Sequence, residues 1–70
     1  MRSPKWLRNA LKQYFEYRSP GTLVDTVDLV SYFHTVSVID AADDLVEIGW
    51  LTIIDGVYPK YTRSQEPTNA

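Results

Sequence analysis

One stretch near the C-terminal end restricts the fold more than any other. In "GWLTIIDGVYPKYT", residues 49–62, an uncharged run is followed by Asp55-Gly56 and then by a tyrosine-rich return. β-branched and aromatic residues on both sides of an Asp-Gly pair predict a β-hairpin. A two-residue type I′ turn at Asp55-Gly56 would need positive φ at both central residues. It would pair Ile54 with Val57, Ile53 with Tyr58 and Trp50 with Tyr61. Pro59 cannot donate to a ladder, so the returning strand is expected at a sheet edge or with an irregularity there.

Three helices are predicted ahead of the hairpin. Ser3-Pro4 reads as a serine N-cap with proline at the first helical position. Leu7, Ala10, Leu11, Tyr14 and Phe15 then share one side. Lys5, Arg8 and Lys12 fall within an arc of about 60° on another side. Ser19-Pro20-Gly21 ends this helix. Residues 22–24 suit a short strand, and Asp25 or Thr26 can cap a helix carrying Val27, Leu29, Val30 and Phe33. Ser37 with Asp40 resembles a capping box, and Gly49 suits the left-handed residue after a helix end. On this third helix Asp40, Asp43, Asp44 and Glu47 lie within an arc of about 100°.

The chain has 70 residues, enough for one small domain, expected over residues 3–63 with a disordered polar tail over residues 64–70. It contains no cysteine, so neither a disulfide framework nor a thiolate metal site is available. No segment reads as a signal peptide or a membrane span, and the expectation is a soluble, cytoplasmic protein. The net charge of −2 hides a division along the chain. Residues 1–18 hold Arg2, Lys5, Arg8, Lys12 and Arg18 against Glu16 alone, whereas residues 19–57 hold seven acids and no Lys or Arg.

Helix, short strand, helix, helix, hairpin is an order that resembles the winged helix-turn-helix family of small regulators. The resemblance is carried by Leu45, Gly49, Trp50, Leu51, Tyr61 and Thr62, which match the end of a recognition helix and the wing after it. It implies an α+β winged-helix-like fold of three helices and a two-stranded wing. It also implies DNA contacts at Ser37, Val38, Asp40, Ala41 and Asp44 and at wing residues 57–60. The sequence departs from the family at that point. Four carboxylates would repel a duplex that carries one charge per about 1.7 Å, and base readout favours Arg, Lys, Asn and Gln.

Two function classes follow as expectations. The first is a non-enzymatic, DNA-binding transcription regulator of phage, plasmid or prokaryotic type. It would use Lys5, Arg8 and Lys12 of the first helix, with Tyr58, Lys60 and Arg63 of the wing. The second is a protein-binding adaptor or inhibitor that meets a basic partner through Asp40, Asp43, Asp44 and Glu47, as a nucleic-acid mimic would. A homodimer joining the basic first helix to the acidic third helix is a third arrangement. The one histidine, His34, stands at a helix end, without an acid–base pair or nucleophile beside it. No catalytic, metal or cofactor site is expected.

Overall fold

In a computed structural model the chain is described over residues 2–64. The element order is α1 (Lys5–Glu16), β1 (Val24–Asp25), α2 (Thr26–Phe33), α3 (Ser37–Glu47), β2 (Leu51–Ile54) and β3 (Lys60–Arg63). The class is α+β. Because β1 joins the hairpin, the antiparallel sheet has three strands in the order β1-β3-β2. This arrangement is compatible with a winged-helix-like layout.

Several local signals act as the sequence predicts. Asp25 precedes α2 and its carboxylate accepts from the Asp28 N–H at 2.8 Å, satisfying one of the free donors at a helix start. Gly49 has φ +82 and follows α3. The Gly49 N–H donates to the Val46 carbonyl and the Trp50 N–H to the Leu45 carbonyl, the two bonds of a Schellman motif. That turn directs the chain from α3 straight into β2. At the end of α1, Arg18 donates to the Tyr14 carbonyl at 2.9 Å and lies 3.5 Å from the centre of the Tyr14 ring.

Two predicted caps are replaced. Pro4, not Ser3, is the residue before α1, and no side chain caps it locally. Ser37 is already helical, and its N–H is taken by the Thr35 hydroxyl. A threonine two residues upstream therefore does the work expected of the Ser37–Asp40 box.

The hairpin also differs from the expected turn. Ile54 pairs with Lys60, Ile53 with Tyr61 and Leu51 with Arg63, leaving a five-residue loop from Asp55 to Pro59. Positive φ occurs at His34, Gly21 and Gly49 among the described residues, and not at Asp55 or Gly56. The reason is side-chain parity. The two-residue turn would place Leu51 and Tyr61 on opposite faces of the sheet and would require an N–H from Pro59 opposite Thr52. In the observed register both Leu51 and Tyr61 face the core. Pro59 contributes only its carbonyl, which accepts from the Thr26 N–H.

The core lies between the helices and that sheet face. It is built from Leu7, Leu11 and Phe15 of α1, Leu29 of α2, Val38, Ala41, Ala42 and Leu45 of α3, and Val24, Leu51 and Tyr61 of the sheet. Fully burying one such leucine is worth about 1.5–3 kcal/mol. Trp50 is half-buried against this core, edge-on to Phe15 with ring centres 6.4 Å apart. Ser64 belongs to the domain, because its N–H donates to the Trp50 carbonyl. The rest of the expected tail, residues 65–70, lies outside the described residues.

Candidate functional site

The four carboxylates of α3 do not form one exposed face. Asp44 is buried, at 4% exposure, and looks toward the start of α1. Its Oδ2 accepts from the Arg2 N–H at 3.1 Å, the Ser3 N–H at 2.9 Å and the Ser3 hydroxyl at 2.5 Å. An anion placed before a helix satisfies free donors and complements the helix dipole. Asp44 does this for α1 from another helix, in place of the missing local cap. The Ser3 hydroxyl and N–H hold its carboxyl below the ordinary value of 3.8, burial opposes them, and the Arg2 N–H adds to the lowering. The expected partner role of Asp44 is thus corrected to a structural one.

The other three acids remain at the surface. Asp40, Asp43 and Glu47 are exposed on α3, and Val36, also exposed, precedes them at the same helical spacing. Asp43 has a tether of its own, accepting from the Tyr61 hydroxyl at 2.8 Å. Tyr61 is buried in the centre strand, so the acidic stripe borders the sheet. Burial first, and then the hydrogen bond to Asp43 and its charge, push the Tyr61 hydroxyl well above its ordinary value of 10.0. The phenol stays neutral and donating throughout the physiological range.

The basic residues expected to meet DNA are dispersed. Arg8 is folded back on the N-terminal segment, donating through one guanidinium nitrogen to the Ser3 carbonyl and hydroxyl. Lys12 lies 5.8 Å from the centre of the Trp50 ring, a cation–π distance. Lys5 is exposed. Lys60 and Arg63, three residues apart on β3, point to opposite faces of the sheet. Lys60 lies on the outer face directly across from Asp25, and Arg63 lies on the core face across from Leu51. Tyr58 is 61% exposed in the wing loop beside Val57 at 91%. With Asp25, Ile54, Asp55 and Lys60, these two residues line a shallow hollow of about 390 Å³ that holds more acid than base.

Sequence reasoning missed Ser3 as the partner of Asp44, and it missed Asp25 as the neighbour of Lys60. The first was readable in part, since Asp44 stands three residues after buried Ala41 and beside buried Leu45. The second depended on a register that only the assembled sheet defines. Among the described residues, no group of three or more His, Asp or Glu side chains is placed to hold a metal ion. No helix among them is long and apolar enough to cross a membrane. Compared with known proteins, the chain matches no family model, no curated protein and no solved structure.

Proposed function

We propose that this chain is a non-enzymatic binding module, winged-helix-like in layout, which engages a basic protein surface through the exposed stripe Val36, Asp40, Asp43 and Glu47. One observation carries the reading: the exposed side of the helix in the recognition position has three carboxylates and no cation. Such a stripe repels a phosphate backbone and attracts a lysine- or arginine-rich surface. Complementary charge of this kind sets orientation and association rate more than affinity. Action in the cytoplasm belongs to the same reading.

A second reading, DNA contact by the wing, is supported by the projection of Val57 and Tyr58 beside exposed Lys60. A regulator of that kind would make few phosphate contacts, and its affinity would fall steeply with salt.

Two measurements separate the readings. The first is titration of labelled duplex DNA with the protein at about 20 mM salt, where phosphate contacts count most. The second is retention of basic proteins from a nuclease-treated lysate. The protein-binding reading expects negligible DNA binding, with retention lost in the double variant Asp40→Lys, Glu47→Lys. Salt-sensitive DNA binding that weakens in Lys60→Glu or Lys5→Glu would instead transfer the function to the wing and α1.

A further inference from the structure

Most aromatic side chains of this chain are engaged with one another or with the core. Tyr14, Phe15, Tyr32, Phe33 and Trp50 meet as ring pairs, and Tyr61 is buried. Two aromatic residues of α1 are left over. Trp6 and Tyr17 pair with no other ring among the described residues, and they are 67% and 87% exposed. A ring of that size has much to gain from a partner that covers it.

Helical geometry places both rings in an ordered surface. Leu7, Leu11, Tyr14 and Phe15 are buried within an arc of about 100°. On the opposite side Lys5, Trp6, Asn9, Gln13, Glu16 and Tyr17 are all exposed and span about 120°. Lys5 lies on one border of this arc, with half-buried Lys12 just beyond it. Trp6 and Tyr17 lie along the other border, and Asn9 and Gln13 fill the strip between. Two cations about 10 Å apart along the axis therefore run beside two rings about 16 Å apart. Arg2, exposed ahead of the helix, adds positive charge at its start, and Glu16 is the lone acid of the face.

A polyanion with flat, unpaired rings is complementary to both borders. We propose that the outer face of α1 binds single-stranded nucleic acid, with phosphates along Lys5 and Lys12 and bases stacked on Trp6 and Tyr17. This surface goes beyond the partner reading of α3 and is independent of it. Stacking of this kind tolerates any sequence, because every base has a π-face. The amides of Asn9 and Gln13 stand between the two borders, where they offer donors and acceptors to sugars and base edges. A duplex fits poorly, since its bases are already stacked on one another. A lipid surface fits poorly too, because the arc holds no Leu, Ile, Val or Phe to insert.

Fluorescence anisotropy of a labelled oligothymidylate of about 15 nucleotides, titrated with the full chain at about 20 mM salt, tests the proposal. Saturable binding is expected, and it should weaken as salt rises. An oligouridylate of the same length separates DNA from RNA, and binding of either strand supports the proposal. Trp6→Ala and Tyr17→Ala should each weaken binding about fivefold or more, and Trp6→Phe should keep most of it. Lys5→Glu should weaken it and flatten the salt dependence, whereas Glu16→Gln should tighten it. Lys60→Glu, in the wing, should change it by less than about twofold. These side chains are exposed, and circular dichroism of each variant verifies that the fold is retained. Failure to bind either strand overturns the proposal. So does equal affinity for a duplex of the same length, or binding indifferent to Trp6→Ala and Tyr17→Ala together. Binding to phosphatidylserine vesicles in place of both strands would make this a membrane face and overturn it as well.

Discussion

At the seam between α1 and α3, three donors converge on one oxygen of Asp44, and Arg8 closes over the Ser3 carbonyl. Along the hairpin, by contrast, Ile54, Val57 and Tyr58 face solvent. Both regions draw on a similar stock of acids, hydroxyls and apolar side chains. The seam uses them on the protein itself, whereas the tip of the hairpin leaves its apolar side chains exposed. A chain that cannot be cross-linked by cysteine concentrates its polar satisfaction where two helices meet, and leaves apolar side chains exposed at the hairpin tip.

The strongest way to break the contrast is to empty the seam. Asp44→Ala leaves two backbone N–H groups and a buried hydroxyl without their acceptor, and should lower Tm by about 10 °C or more. Acid should reproduce part of that loss in the unmodified protein. The Asp44 carboxyl is lowered in the fold, so its contribution is complete above its ordinary value of 3.8 and disappears as pH falls below it. Thermal melts between pH 7 and the acid limit should show this loss, and Asp44→Ala should show less of it.

A smaller effect is expected where the acidic stripe borders the sheet. Tyr61→Phe removes the donor to Asp43 but leaves that carboxylate open to water. The cost is about 1 kcal/mol, or roughly 4–8 °C in Tm. Because the Tyr61 hydroxyl is raised in the fold, its contribution is present below 10.0 and is lost as pH rises above that value. The phenylalanine variant should lack that part of the alkaline decline, as melts above pH 9 would show.

The smallest effect belongs to the wing. Val57→Ser and Tyr58→Ala should each change stability by no more than about 0.5 kcal/mol in denaturant titrations. A larger loss would mean that the loop is part of the core's support, and the contrast would fail.

The helices and their order were legible because periodic apolar residues and stop signals agreed. Gly49 and Asp25 are the clearest cases, since each has one backbone task and performs it. Two features were hidden for physical reasons. Asp44 sits on the border of the helical wheel, where a carboxylate is expected in water; only the arrival of Ser3, 41 residues away, makes its burial favourable. The Asp55-Gly56 pair reads locally as a tight turn, yet the requirement that Leu51 and Tyr61 share the core face overrides it. The candidate site was the less readable part. Whether Lys60 and Arg63 reinforce each other depends on strand parity, and parity separates them.

The contact between Ser3 and Asp44 closes most of the described domain into a loop, from just ahead of α1 to the last turn of α3. Loop closure costs entropy that grows only slowly with length, so a clasp across so long a span costs little more than a short one. A disulfide in that place would hold under any proton concentration. A serine and a carboxylate hold most tightly while the carboxylate is charged, so the joint between the two helices is weakened by acid.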